Sequence, residues 1–339
     1  MADKIQQAEN HIKNAEKALK STFFRWKPDY DSAADAFTQA AQCYRIVRDQ
    51  KKVKEFYAKA AECHIRNNAL FHAGKCLETA MMACKETCAA DEIFTMASDA
   101  STYYQQYGSG DAGAGVLEKA AKILEENDPE KAVKLYQMAA DVSSTESSQH
   151  QGAEYMRKSS RILTRLELFD QAVDSLRREI GYNLEHGNYG AVGRLVVAIV
   201  IVQLARGDPV AAEKAYKEWG NNCEAAESTT LEQLLQAYDE EDRAGARAAL
   251  SSPFIRSMDV EYSRLAMTVP LPEGIEPAPS AGVRENAAPS YVSANVAASA
   301  GPAPSCSGAA KYSEDGEEES PYEAVTYDNK KADDEDGLC

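Results

Sequence analysis

The chain has 339 residues, enough for two globular domains of ordinary size, and carries a formal net charge of −17 at pH 7. This acidic balance argues against nucleic acid as the main partner, because binding to a phosphate backbone requires a net positive face. The amino terminus lacks the apolar core of a secretory signal, and no apolar run approaches the ~20 residues that span a bilayer. We therefore expect a soluble, cytoplasmic protein.

Apolar residues recur every forty residues along most of the chain. One ladder consists of Val53, Ile93, Val133 and Val173, followed after thirty-nine residues by Ala212, and a second ladder lies half a period away at Ala33, Ala73, Gly113 and Ala153. Two ladders per period predict helical hairpins, each too small to bury its own apolar stripe. The predicted fold class is therefore all-α: a tetratricopeptide-like α-solenoid whose stacked hairpins leave one long, curved surface, with a C-terminal helical cap and a disordered acidic tail.

Eleven helices follow from this pattern and from the residues that interrupt it. They are predicted near 4–20, 30–48, 51–67, 70–87, 91–107, 111–125, 129–144, 149–165, 169–186, 189–206 and 209–220. Asp128-Pro129 and Asp208-Pro209 each place an Asp at an N-cap and a Pro at the first helical position, which fixes two starts. The β-branched run at 195–202 falls where the repeat requires a helix, so we interpret it as a fully buried helix.

The end of the chain departs from the repeat. Segments 231–238, 243–250 and 258–266 predict a smaller helical cap, as terminal repeats are usually atypical. From Pro270 onward there are 14 Asp or Glu against 4 Lys or Arg, in a Pro-, Ala- and Ser-rich context that predicts disorder. The predicted organisation is a helical-hairpin array over 1–220, a cap over 221–268 and a disordered tail over 269–339.

Signals for catalysis or cofactor binding are weak. The five histidines are scattered, no nucleophile has an evident base, and the eight cysteines lack zinc-ligand spacing. The segment from Gly108 to Gly113 matches a dinucleotide fingerprint, but it follows a predicted helix where that motif needs a strand. We predict a protein that is not an enzyme and has no cofactor and no metal.

Three segments carry a specific family resemblance. They are Phe23-Phe-Arg-Trp-Lys-Pro-Asp-Tyr-Asp-Ser-Ala-Ala34, Ala69-Leu-Phe-His-Ala-Gly-Lys75 and Asn127-Asp-Pro-Glu-Lys-Ala-Val-Lys-Leu-Tyr136. The chain resembles the soluble NSF attachment proteins, most closely their gamma branch, over residues 1 to about 266 and again in the acidic ending at 333–339. The Pro-, Ala- and Ser-rich insert between these regions is unlike the short tail of the alpha branch.

The resemblance implies an adaptor. Such proteins coat assembled, syntaxin-containing SNARE four-helix bundles and recruit the hexameric AAA+ ATPase N-ethylmaleimide-sensitive factor, which pulls the bundle apart during vesicle fusion and intracellular transport. A stiff, curved array of helices suits this role, because its surface can bind a rod-shaped bundle by shape without recognising a particular sequence. The resemblance also implies peripheral membrane association.

Phe23, Phe24 and Trp26 lie between the first two predicted helices, beside Arg25 and Lys27. Exposed aromatic side chains next to cations suit insertion at an anionic membrane interface. They could equally staple the first helix onto the second inside the core. The equivalent loop of the resembled family contacts membranes, which favours the first interpretation.

A basic stripe is predicted on the helix near 149–165. Arg157, Lys158, Arg161 and Arg165 fall at spacings that place them on one face, with Lys119 and Lys122 flanking them from the preceding repeat. Because assembled SNARE bundles are acidic outside, this stripe would orient the rod by screened attraction. A plain solvated helix face is the alternative.

Two acidic segments are candidates for contact with the ATPase. Asp239, Glu240, Glu241 and Asp242 end a predicted helix, where the negative end of the helix dipole disfavours them. The resemblance implies that this run faces the amino-terminal domain of the ATPase, although a solvated run would also account for it. The resemblance further implies that the acidic ending with Asp334, Glu335 and Asp336 binds the ATPase and that the penultimate Leu338 stimulates it.

Two other function classes remain open at the level of sequence. A generic tetratricopeptide-type peptide-binding scaffold predicts capture of one extended peptide, although no Lys and Asn arrangement of the carboxylate-clamp kind is evident. A structural subunit of a large complex predicts constitutive co-purification with fixed partners.

Overall fold

The computed structural model describes residues 1–20, 27–145 and 149–273, and all of their regular structure is helical. The predicted array accounts for eleven helices and the predicted cap for four more. Their bounds are α1 Ala2–Leu19, α2 Tyr30–Val47, α3 Gln50–Arg66, α4 Leu70–Cys84, α5 Ala90–Tyr107, α6 Gly110–Leu124, α7 Pro129–Thr145, α8 Gln149–Arg165, α9 Phe169–Glu185, α10 Tyr189–Ala205, α11 Pro209–Trp219, α12 Ala225–Asp239, α13 Arg243–Leu250, α14 Pro253–Arg256 and α15 Val260–Thr268. The all-α fold class is confirmed.

Each helix from α1 to α11 packs mainly on the helices immediately before and after it in sequence. This nearest-neighbour pattern is the physical signature of a solenoid, in which each hairpin buries its apolar stripe against the next one. The ladder residues Val53, Ile93, Val133 and Val173 are all buried. The forty-residue repeat therefore predicts the packing as well as the helices.

Two glycines in the register of the second ladder lie close to neighbouring segments of the chain. A Cβ added at Gly113 would lie 3.1 Å from Ser101 Oγ on α5. The ladder also extends one step beyond its predicted end, to Gly193, where an added Cβ would lie 3.1 Å from the Cα of Cys223. Small residues at this interval let the even-numbered helices sit close to their neighbours.

The two predicted N-caps form as expected. Asp128 Oδ1 accepts a hydrogen bond from the backbone N–H of Lys131 at 3.2 Å, and Asp208 Oδ1 accepts one from Ala211 N–H at 2.8 Å. Each bond satisfies one of the backbone donors that the first helical turn leaves free. Helices α7 and α11 therefore begin where their Asp-Pro pairs predict.

Helix α10 is buried on every side through most of its length. Its residues from Leu195 to Leu204 are all buried, which matches the prediction for the β-branched run. Neighbours cover it from the array on one side and from the cap on the other, since it contacts α9, α11, α12 and α15. This enclosure stabilises the helix despite the strand preference of Val and Ile.

The cap differs in detail from its prediction. Helix α12 begins six residues earlier than expected, because Glu224 and Glu227 form a reciprocal capping box at its start. The short helix α14 was not predicted, although Ser252 caps it and Pro253 occupies its first position. Helix α15 then folds back onto α8 and α10.

Candidate functional site

Ion pairs link the even-numbered helices across successive repeats. Glu78 on α4 pairs with Lys119 on α6 at 2.6 Å, and Glu118 on α6 pairs with Lys158 on α8 at 2.7 Å. The partners are 41 and 40 residues apart, so both pairs follow the repeat itself. They place the predicted basic residues of α6 and α8 side by side on one surface, which we call the α4–α6–α8 face.

Lys119 and Lys122 lie farther out on this face than the carboxylates that pair with them, whereas Lys158 does not. The side chain of Lys119 is 51% exposed but that of Glu78 only 10%, and the values for Lys122 and Glu118 are 57% and 23%. Since the carboxylates are recessed, pairing does not cancel the charge that an approaching molecule meets first. Lys119 and Lys122 therefore present their ammonium groups outward from the α4–α6–α8 face.

Glu78 is the most enclosed member of this network. Lys119, Lys75 at 3.0 Å and the hydroxyl of buried Tyr104 at 2.9 Å all donate hydrogen bonds to its carboxylate. Burial by itself raises the pKa of Glu78, but these three donors outweigh it, so its pKa lies below the ordinary value. The ionised form is therefore the one that the fold stabilises.

Replacement of Glu78 by Ala is expected to lower the free energy of unfolding by about 1–3 kcal/mol at pH 7, because Lys75 and Lys119 lose their charged partner and Tyr104 loses its hydrogen-bond acceptor inside the protein. The pKa of Glu78 is depressed in the folded state. The electrostatic part of its contribution to stability is therefore present above the ordinary glutamate pKa of about 4.3, and it is lost as the pH falls through the lower, folded-state pKa. Urea unfolding at pH 7 and below pH 4 measures this. Glu62→Ala, which breaks an exposed pair with Arg66, is the control. A Glu78→Ala cost that does not shrink in acid would contradict the electrostatic origin.

The predicted stripe on α8 separates into exposed and engaged members. Arg157 and Arg165 are exposed. Lys158 lies between Glu118 and Glu154 and over the rings of Tyr136 and Tyr155. Its head is therefore committed to packing within the array.

Arg161 has a different role from its predicted neighbours. Its guanidinium pairs with Glu261 at 3.0 Å and with Asp259 at 3.8 Å, at the start of α15. Nearby, the hydroxyl of Tyr262 donates to Ser160 Oγ at 3.0 Å. Arg161 therefore links the cap to the array. The predicted basic residues that are exposed are Lys119, Lys122, Arg157 and Arg165.

The acidic run ends α12 and begins α13, as the sequence predicts. Asp239, Glu240, Glu241 and Asp242 are all exposed. Asp242 also caps α13, since its Oδ1 accepts a hydrogen bond from Ala244 N–H at 3.0 Å. Glu240 accepts one from Gln236 at 2.7 Å, which leaves Asp239 and Glu241 as the carboxylates without a local structural role among the described residues.

Several predicted site residues lie outside the described residues. They are Phe23, Phe24, Trp26, Asp334, Glu335, Asp336 and Leu338. For the first three, the flanking backbone is informative. The N–H of Asp29 donates a hydrogen bond to the carbonyl of Ala18 at 3.0 Å, so the end of α1 and the start of α2 lie next to each other.

The structure also bears on the other motifs considered from sequence. Gly108 is the left-handed C-cap of α5, with φ of 89°, so the glycine-rich segment joins two helices. The six cysteines among the described residues are free thiols. Over 1–20, 27–145 and 149–273, no cluster of three potential metal ligands occurs. None of the helices in those ranges is both long and apolar enough to cross a bilayer.

Known proteins resemble this chain over most of its length. A family model described as "Soluble NSF attachment protein, SNAP" matches residues 6–251. The gamma-soluble NSF attachment protein of Dictyostelium discoideum is 25% identical over 276 residues, covering 78% of this chain and 85% of that protein. The protein of the same name from Arabidopsis thaliana is 25% identical over 76% and 90% of the two chains. The alpha-soluble NSF attachment protein of Vitis vinifera is 27% identical over 71% and 85%.

Proposed function

The chain belongs to the soluble NSF attachment protein family, and from that premise we propose that it binds assembled SNARE bundles and recruits N-ethylmaleimide-sensitive factor to disassemble them. In this proposal the ATPase carries out the chemistry and the chain acts as an adaptor. We also propose that the protein is cytoplasmic and that it associates peripherally with membranes when it acts.

The observation that carries this proposal is the outward placement of cations on the α4–α6–α8 face. Lys119, Lys122, Arg157 and Arg165 present positive charge over successive repeats, and the carboxylates paired with three of them are no more exposed than their partners. A SNARE bundle is a long rod with an acidic exterior. An extended positive face on stacked helices can attract such a rod along its length without reading its sequence.

Capture of a ternary complex tests the proposed function. Immobilised full-length chain is mixed with recombinant assembled SNARE bundle, with the ATPase held in its ATP state, or with both. We expect the bundle to be retained alone and the ATPase to be retained best when the bundle is present. Retention of neither would contradict the adaptor function and favour a peptide-binding scaffold or a fixed structural subunit.

We propose that the segment with Phe23, Phe24 and Trp26 contacts the membrane. Support comes from the sequence, which places three aromatic residues beside Arg25 and Lys27, and from the Ala18–Asp29 hydrogen bond that brings the segment's flanks together.

Replacement of Phe23 and Phe24 by Ser is expected to slow disassembly of liposome-anchored bundles by at least about tenfold, because the apolar area available to the bilayer is lost. Disassembly of soluble bundles by the same variant is the control and should be unchanged. Equal loss in both assays would instead indicate that the two rings pack in the core.

We propose that the acidic run at 239–242 and the tail residues Asp334, Glu335, Asp336 and Leu338 contact the ATPase. Asp239 and Glu241 support this for the first segment, because they are exposed carboxylates without a local partner in the described part of the chain. Leu338 supports it for the second, because the sequence places an apolar residue shortly after the four acidic residues 333–336.

Removal of Leu338 and Cys339 is expected to lower stimulation of the ATPase while binding of SNARE bundles stays unchanged. Steady-state phosphate release with and without bundle measures the first quantity, and the retention assay measures the second. The Asp239→Lys, Glu241→Lys variant tests the run on α12 in the same assays. Normal stimulation by both variants would remove these two segments from the proposed contact.

A further inference from the structure

A cavity of about 210 Å³ lies where the cap meets the array, bounded by α8, α9, α10 and α15. Its apolar wall includes Ala153, Leu195, Ala198 and Met258. The volume is below the roughly 300–1,000 Å³ of pockets that take drug-sized ligands, so it suits a fragment or one side chain. None of the residues assigned to the α4–α6–α8 face lines it except Arg157.

Glu179, on α9, contributes a carboxyl to this cavity although it is only 3% exposed. No Lys or Arg of the described residues lies within ion-pair distance of that carboxyl. Its hydrogen bond from Ser160 Oγ is long, at 3.4 Å, and the single proton of that hydroxyl has a closer acceptor in the Arg157 carbonyl at 3.0 Å. A buried acid with so little compensation is costly in its ionised form.

The other two carboxylates at the cavity already have ionic partners. Arg157 pairs with Glu154 at 3.5 Å, Asp259 lies 3.8 Å from Arg161, and Arg194 lies over the ring of Phe254. Glu179 is therefore the one carboxyl of the cavity lining without an ionic partner among the described residues, while the ring leaves the positive charge of Arg194 uncompensated. A cation bound beside Glu179 would supply the ionic partner that this carboxyl lacks.

We propose that this cavity is a binding site for a primary ammonium or guanidinium group on a short aliphatic stem, with the cation on Glu179 and the stem against the apolar wall. Two sources share this chemistry: the Lys or Arg side chain of a protein partner, and a free organic amine. The proposal does not rest on the adaptor function.

Proton release distinguishes this site from nonspecific attraction of amines to an acidic protein. Burial raises the pKa of Glu179 to about 8, against the opposing influence of Arg157. The carboxyl is therefore mostly protonated at pH 7, and a cation bound beside it would ionise it and release close to one proton. For the same reason, affinity should rise about tenfold between pH 7 and pH 9. The neighbouring groups that face it are Glu154 and Arg157 on α8, Arg194 on α10, and Asp259 and Tyr262 by α15.

Calorimetric titration of the full chain tests the proposal. The probes are n-butylamine and N-acetyl-lysine methylamide, each taken into the millimolar range in phosphate and in HEPES, whose ionisation enthalpies differ. The buffer difference gives the number of protons released. Binding of both probes would point to a partner's side chain as the natural occupant, and binding of n-butylamine alone to a free amine; either result supports the cation site.

Two variants and one control make the test decisive. Glu179→Gln keeps the shape of the side chain and should weaken binding at least about tenfold and abolish proton release. Ala191→Leu adds volume to the cavity lining at a partly exposed position and should block binding even if Glu179→Gln fails to fold. Glu185→Gln removes an exposed carboxylate from the same helix and should change neither quantity. The proposal would be overturned if neither probe bound, or if binding released no proton. It would also be overturned if the Glu179→Gln or the Ala191→Leu variant bound the probes as well as the Glu185→Gln control does.

Discussion

Reversing the charge of Lys122 and Arg157 together, by replacement with Glu, is expected to weaken binding to the assembled SNARE bundle by about 10- to 100-fold near physiological salt. Both side chains are exposed, and their pairs with Glu118 and Glu154 lie within single helices, so the substitutions remove outward charge without breaking the array. Surface pairs of this kind contribute little to stability. The loss should therefore appear in binding and not in unfolding.

The measurement is the dissociation constant across a salt series, because screened attraction weakens as ionic strength rises. The double variant should show a shallower dependence on salt than the unchanged chain. Lys51→Glu with Lys134→Glu is the matched control, since it makes the same change in net charge at exposed positions on α3 and α7. If the two double variants bind equally well, the α4–α6–α8 face is not the contact surface.

Replacement of Ile199 by Ala is expected to lower the free energy of unfolding by about 2–5 kcal/mol, the largest stability effect that we predict. Ile199 lies in the middle of α10, is fully buried and belongs to the core shared by the later repeats and the cap. The loss combines the transfer free energy of the removed methylene and two methyl groups with the cost of the cavity that remains.

The chain contains a matched control for this prediction. Ile46, on α2, is 62% exposed, so Ile46→Ala makes the same chemical change with little loss of packing. Thermal unfolding followed by circular dichroism should show a clear decrease for Ile199→Ala, at about 2–4 °C per kcal/mol, and almost none for Ile46→Ala. Similar effects of the two variants would contradict the central position of α10 in the core.

The helices of the array could be predicted from sequence because one physical requirement recurs. Every hairpin must bury the same stripe against the next hairpin, so the interval between Val53, Ile93 and Val133 reports a contact as well as a helix face. The same requirement identifies α10 as a helix, although its Val and Ile content alone would favour a strand. The cap has no such repeat interval. Its helix α12 was predicted too short, and its helix α14 was not predicted.

The charged site could be predicted only in part. Spacing places Arg157, Lys158, Arg161 and Arg165 on one helix, but it does not show which carboxylates approach them from elsewhere. Arg161 contacts Glu261, which lies a hundred residues later in the sequence. This contact forms because the cap folds back onto the array, and no sequence repeat predicts that arrangement. Lys158 and Glu118 are one period apart, so the repeat could have identified that pair.

Glu179 shows a second limit of reasoning from sequence. It follows Arg177 and Arg178, and in isolation this segment has the composition of a solvated helix face. Its burial arises because α8, α10 and α15 meet over α9, which is a property of the assembled layers. In the sequence, only the apolar residue that follows it, the buried Ile180, hints at this environment.

The rate of ATP-dependent disassembly tests the central claim most directly. A SNARE bundle labelled for loss of energy transfer is mixed with N-ethylmaleimide-sensitive factor and ATP, with or without this chain and with the Lys122→Glu, Arg157→Glu variant. We predict that disassembly requires the chain and is strongly reduced for the variant at the same concentration. An intact bundle in the presence of chain, ATPase and ATP, or equal rates with and without the chain, would contradict the claim that it is the adaptor joining the two.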